Sequence, residues 1–400
     1  MSRRTLLLGA CVALWASSAP AQEPARVLPV YLVPRDDSVP RAGLAYHARV
    51  LEDVRRWYGR VLGGRTFVYE PLIVQVSRHS FAELAADSFQ AWWPLLQREF
   101  AEYGWAWNAR ARFKLLLLTH RAGAWAGADS ENGGIDSTAQ AGRVDKGNWG
   151  GFAIIGDSSV GGVLAGVCPE IFHGKADSSA ATAWWCSGST YRGTVAHELG
   201  HTFGLPHPDA FRPGFRCADS TAYTIMQCHW WWEKEPLLDY EIRHLRSLDF
   251  FQVDTLPAYE MLSESCRPSA GSHPSSVVNV QRRSLERADS LTWVDGRGGG
   301  TAYLWAVILA GRGAQLNCPL GFGSGVLAFD LGMERGAAGR AELRVEADGE
   351  PLALFSVEAA HAPQRIVLPL GSAHRLNVRV TGGNAHIVLG NPRVYRRADN

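Results

Sequence analysis

The segment from His197 to His207, HELGHTFGLPH, constrains this chain more than any other stretch, because eleven residues carry a helix, its stop signal and a set of metal-ligand side chains. Residues four apart share a helix face, so His197 and His201 project together and can bind one ion through two imidazoles. Glu198 lies one residue beyond the first of them. It is outside the ligand pair yet within reach of a water on the ion, where a general base belongs. Gly204 ends the helix, since glycine enters the left-handed conformation of a C-terminal cap without steric cost. The chain then turns back and carries His207 round as a third ligand. Three protein ligands leave a fourth tetrahedral position for water or substrate, the arrangement of a catalytic rather than a structural zinc site.

The 400 residues suggest about two domains, and a 46% hydrophobic content suffices for full cores. Residues 1–21 read as a secretory signal peptide, with Arg3 and Arg4 ahead of an apolar stretch from Leu6 to Ala16 and small residues at Ala19 and Ala21. That stretch is too short for a membrane span, which needs about 20 apolar residues. Ser2 to Leu7 resembles a twin-arginine export signal, and Leu8 to Cys11 loosely resembles a lipoprotein box. The expected product is secreted or periplasmic, monomeric and without a membrane span. Removal of the signal leaves 38 basic against 39 acidic residues, so no bulk attraction to nucleic acid or membrane is implied.

Six cysteines then remain: Cys168, Cys186, Cys217, Cys228, Cys266 and Cys318. An even count in an exported chain favours three disulfides, and neighbours in sequence are the simplest of the possible pairings. Cys168 with Cys186 would close a loop before the metal helix, and Cys217 with Cys228 one after it.

Periodicity predicts strand, helix, strand, helix, strand from Arg26 onward. Val27 to Val33 and Phe67 to Val76 are strands, and Leu44 to Val61 and Phe89 to Trp105 are helices. The apolar run Phe113 to Thr119 fits a central strand. Short apolar segments at Phe152 to Ile155 and Val160 to Val167 interrupt a loop-rich stretch. Ser189 and Thr190 can cap the metal helix, and Leu237 to Leu248 resumes as a helix. The Ser-, Pro- and Gly-rich stretch 263–276 is the expected linker between a domain over 22–262 and a second over 277–400. In the latter, strands alternate from Thr301 to Leu389, with Asp348-Gly349 as a hairpin turn, which argues for an all-β sandwich or jelly roll.

These residues resemble a known family. HELGHTFGLPH has the HExxHxxGxxH form of the metzincin zinc endopeptidases, and Tyr223 to Cys228, YTIMQC, looks like the methionine turn that follows it in that clan; His207-Pro208 is similar to the serralysin branch. The resemblance implies an α+β catalytic domain with a twisted mixed sheet and long helices, one catalytic zinc on His197, His201 and His207, Glu198 as general base and Met226 as the apolar floor beneath the metal. It also places the run His229, Trp230, Trp231, Trp232 where metzincins build the wall of their main side-chain pocket, although those indoles could equally pack against the helix at 237–248. Many metzincins carry a tyrosine two residues after the methionine. Cys228 stands there instead, and Tyr223 is not its equivalent. No cysteine lies between Cys11 and Cys168, so no cysteine switch is expected.

The C-terminal region resembles galactose-binding-like jelly rolls, and Gly325 to Gly332 and Val345 to Gly349 are similar to segments of a carbohydrate-binding module found beside glycosidases and peptidases. The expected activity is therefore hydrolysis of peptide bonds in proteins or glycoproteins, with a glycan as a further partner. Two other readings stay open: a glycan-binding or adhesive protein with a vestigial metal domain, and a zinc hydrolase of non-peptide amides.

Overall fold

The computed structural model describes residues 25–39, 41–85, 92–103, 112–120, 126–129, 151–156, 188–207, 224–227, 236–253, 259–262, 266–269, 277–282, 292–295, 300–303, 305–320, 325–359, 361–383 and 385–396. The expected signal at 1–21, the segment Val160 to Val167, Tyr223, the run His229 to Trp232, and Cys168, Cys186, Cys217 and Cys228 lie outside them.

β1 (Arg26–Val33) and β4 (Phe113–Thr119) carry nearly continuous apolar runs, and both are buried along their whole length, as strands covered on both faces must be. They pair in parallel with each other, with β3 (Ile73–Val76) beside β1 and β6 (Phe152–Gly156) beside β4. β5 (Ala126–Asp129) closes one edge in antiparallel fashion. Helix α1 (Arg41–Val61) buries Leu44, Val50, Leu51, Val54, Trp57 and Tyr58, the face its spacing predicts. The expected strand Phe67 to Val76 is divided: β2 (Arg65–Phe67) pairs with β7 (Phe251–Val253), and β3 begins only after Pro71, which has no N–H to give a ladder. The other helices among the described residues are α2 (Phe81–Ala85), α3 (Trp92–Glu102), α4 (Gly188–Thr202) and α5 (Asp239–Ser247).

The C-terminal part is sandwich-like. One sheet joins β10 (Val277–Arg282), β13 (Trp305–Ala310), β20 (His386–Arg396), β15 (Gly325–Met333) and β18 (Gln364–Gly371) in that order, with β8 (Tyr259–Met261) against β20. The other runs β17 (Glu350–Glu358), β16 (Arg340–Ala347), β19 (Arg375–Gly382), β14 (Gln315–Pro319), β9 (Arg267–Ser269). Asp348 and Gly349 both take positive φ, 51° and 91°, in the tight turn joining β16 to β17, as predicted. Cys266 and Cys318 form a disulfide that ties the start of β9 to β14 across 52 residues. A loop of that length is worth about 4 kcal/mol in the chain-entropy model.

The sheets do not divide at the stretch 263–276. β8 and β9 belong to the sandwich although they lie in or before that stretch, while β11 (Thr292–Asp295) and β12 (Gly300–Tyr303) extend the N-terminal sheet through antiparallel pairing of β12 with β3. The segment Thr301 to Leu309, which reads as one strand, serves two sheets. The reason lies in β13, WAVILA: its apolar residues alternate without a polar face, so both sides need cover. Val307 and Leu309 enter the sandwich core, whereas Ala306 and Ile308, with Val388 of β20, join the core formed by α3 and one face of the N-terminal sheet.

A buried ionic cluster fastens the same junction. Glu70, between β2 and β3, is fully enclosed and meets Arg26 of β1, Arg365 of β18 and Arg393 of β20. The Tyr395 hydroxyl donates to Glu70 Oε1 at 3.2 Å, and Arg365 Nη1 reaches Asp330 Oδ1 at 3.4 Å. Burial alone would raise the Glu70 carboxyl, but Arg365, Arg393 and Arg26 together hold it well below the usual carboxylate range.

Candidate metal centre

α4 packs through Tyr191, Val195, Ala196 and Leu199 into the core that also holds α1. Its C-terminus is a Schellman motif: Gly204 has φ +88°, its N–H donates to the His201 carbonyl at 2.8 Å, and the Leu205 N–H donates to the Gly200 carbonyl at 3.0 Å. The expected glycine stop is thus realised, and it reverses the chain so that His207 faces the two helical histidines.

The three Nε2 atoms form a nearly equilateral triangle. His197 to His201 and His201 to His207 are 3.0 Å, and His207 to His197 is 3.1 Å. Two of the rings have their other nitrogen committed to backbone: His197 Nδ1 donates to the Ile225 carbonyl at 2.7 Å and His201 Nδ1 to the Leu205 carbonyl at 2.6 Å. Those bonds fix the Nδ1–H tautomer and leave a bare lone pair on each Nε2. Lone pairs turned on one another at 3 Å repel unless a cation lies among them. Nitrogens each about 2.0–2.1 Å from one zinc ion are themselves separated by roughly 3 Å, so the donor set fits. Among the described residues, this is the group of His, Cys, Asp and Glu side chains that can hold a metal ion. Burial pushes His201 down to about 4, with His207 adding to the effect, which keeps the ring neutral as a ligand must be.

Glu198 follows His197 on the helix and is 6% exposed. Burial pushes its carboxyl up to about 8 in the protein alone, and a bound dication would draw it down again.

Met226 is buried in the core against α4. A methyl group added at Gly200 would overlap its sulfur, so glycine in HELGH is what lets the methionine side chain lie against the helix. Tyr58 of α1 donates to the Ala196 carbonyl at 2.7 Å and braces the same turn from behind.

Further residues escape a motif-based reading. The Thr224 hydroxyl donates to Glu241 Oε2 at 2.8 Å, and the same oxygen accepts the Leu238 N–H at 2.7 Å, at the start of α5. Burial pushes Glu241 up to about 7. The helix expected over Leu237 to Leu248 begins at Asp239, and it turns Glu241 and His244 inward beside Leu245. His244 Nε2 donates to the Phe203 carbonyl at 2.8 Å, joining α5 to the end of the metal helix. The available signal was a glutamate in the first turn of an amphipathic helix, where it can cap backbone N–H groups. Nothing in sequence spacing links it to Thr224.

The chain matches no family model and no curated protein. Among solved structures it is similar to wild-type OgpA from Akkermansia muciniphila, at 13% identity and TM-score 0.33, over 88% of this chain and 86% of that one. Catalytically inactive OgpA from the same organism, in complex with an O-glycopeptide (glycodrosocin) substrate, is 13% identical at TM-score 0.33, over 94% and 96%. CBM51 from Clostridium perfringens GH95, in complex with methyl-galactose, is 14% identical at TM-score 0.29 and covers 34% of this chain and 99% of its own. Similarity at this level assigns no activity to this chain.

Proposed function

We propose that this protein is an exported zinc-dependent endopeptidase of metzincin type that cleaves proteins or glycoproteins. The observation that carries the reading is the convergence of three imidazole Nε2 atoms within 3.1 Å, two of them held in the metal-binding tautomer by backbone carbonyls, next to the nearly buried Glu198. When bound, zinc would supply Lewis-acid polarisation of a water and of the scissile carbonyl.

Glu198 accepts the proton from the attacking water and returns it to the leaving nitrogen. A cation held by the three imidazoles would keep the nearly buried Glu198 carboxyl ionised, as a proton acceptor must be. His197 and His201 keep their orientation through the Ile225 and Leu205 carbonyls, so little reorganisation is required on binding. Met226 and Gly200 form the apolar packing behind the ligands. The sandwich is assigned a glycan-contacting role, the run His229 to Trp232 the pocket wall, and the chain a monomeric, secreted or periplasmic existence. No described helix is long and apolar enough to cross a membrane.

The test is Glu198→Ala in the full chain. Zinc should remain bound while cleavage of casein or gelatin falls by at least about 10²-fold, the lower range of general acid–base contributions. A wild-type protein that binds zinc and cleaves no protein substrate would refute the reading. Cleavage of small non-peptide amides would then favour the amide-hydrolase alternative.

A further inference from the structure

The methionine turn does more than support Met226. Its residue 225 supplies the carbonyl that accepts His197 Nδ1–H, so the position of that peptide unit sets the ring angle and tautomer of a metal ligand. The peptide is held at several points. The Ile225 N–H donates to the Pro236 carbonyl at 3.1 Å, and the Gln227 N–H donates to the Thr224 carbonyl at 2.9 Å. The Met226 N–H points at Thr224 Oγ1, 3.4 Å away, while the same hydroxyl donates to Glu241 Oε2 at 2.8 Å. Glu241 is itself fixed by the Leu238 N–H and is fully buried.

We infer that Thr224 and Glu241 are positioning residues for the metal centre: through the Ile225 carbonyl they hold His197 in the orientation that directs its Nε2 at the other two imidazoles. The inference rests on the metal-centre reading above. Neither side chain belongs to the group of three imidazoles. Their effect passes through one backbone carbonyl, and it depends on a hydroxyl that can donate on one side and accept on the other. Serine preserves that pair of bonds and valine abolishes it with little change in volume. A role confined to packing would therefore tolerate valine at least as well as serine, whereas a positioning role requires the hydroxyl.

The experiment compares the full-length wild type, Thr224→Val, Thr224→Ser and Glu241→Gln, with Zn2+ and Co2+ affinities measured by chelator competition and the visible d–d spectrum of the Co2+ form recorded. Thr224→Val should lower affinity by about 10–100-fold, the range for partners behind metal-bound histidines, and should shift the Co2+ bands. Thr224→Ser should return both to near wild type. Glu241→Gln, which keeps an acceptor oxygen but loses its charge, should give a smaller loss in the same direction. Unchanged affinity and spectrum in Thr224→Val, with wild type binding normally, would overturn the inference. Wild type that binds neither ion would instead overturn the metal-centre reading beneath it. If Thr224→Val no longer unfolds cooperatively, the decision passes to Glu241→Gln, for which wild-type affinity and spectrum would be the contrary result.

Discussion

The histidine centre, buried at His197 and exposed at His207, and the cluster around the fully buried Glu70 both gather polar side chains, yet they treat charge in different ways. Around Glu70 the protein supplies both signs itself, with Arg26, Arg365 and Arg393 set against Glu70 and Asp330. At the histidines the chain turns three Nε2 atoms on one another, and backbone carbonyls accept from Nδ1 of His197 and His201. The first arrangement sets three guanidinium groups against two carboxylates and joins the N-terminal sheet to the sandwich. The second offers a donor set for a cation, the arrangement that the proposed zinc site calls for. Opposite charges are thus a structural fastening in one place, and convergent imidazoles are a candidate cation site in the other.

The largest expected effect comes from breaking the fastening. Glu70→Ala leaves three guanidinium groups around a vacated carboxylate position, and removal of one partner from a buried ion pair costs about 3–5 kcal/mol, a large part of a typical total stability of about 5–15 kcal/mol. Because the cluster bridges both regions, calorimetry should show one transition shifted downward as a whole. Two separated transitions, with the sandwich unaffected, would show that the regions are independent.

The pH dependence follows in sign. The Glu70 carboxyl is lowered in the folded state, so its contribution is fully present above the unfolded value of about 4.3 and is lost as pH falls below it. Asp330, which burial raises against the pull of Arg365, works in the opposite sense. Thermal unfolding followed from pH 7 to 3 should therefore weaken chiefly below about pH 4, and Glu70→Gln should flatten that slope. A slope identical to wild type would separate Glu70 from acid stability.

A smaller effect is expected at the histidine centre from Gly200→Ala. The substitution gains about 1 kcal/mol in helix propensity but forces Met226 aside, and overpacking of this kind costs about 1–3 kcal/mol. Net stability should change little while zinc affinity falls, as read by unfolding and chelator competition together. Unchanged affinity would mean that the methionine contact is packing alone.

The convergence of His197, His201 and His207 was legible because they lie in one helix and its reversal, where local spacing and a glycine stop determine geometry. The alternating strands of the sandwich and the Asp348-Gly349 turn were legible for the same local reason. What escaped depends on distant partners. Thr224 and Glu241 look ordinary apart, and Arg26, Glu70, Arg365 and Arg393 become a cluster only when β1, β18 and β20 meet. Likewise, the apolar run from Thr301 carries no mark that Gly300–Tyr303 pairs with β3 while Trp305–Ala310 pairs with β10 and β20. Periodicity states that a strand must be covered, but not by which sheet.

The most direct measurement uses the full chain freed of metal by chelation and then titrated with zinc while casein cleavage is followed. Cleavage should be absent at the start, rise to a plateau at one zinc per chain, and fail to appear in His201→Ala at the same zinc concentrations. Cleavage by the metal-free chain, or equal zinc binding and cleavage by His201→Ala, would contradict a catalytic site built on these three histidines.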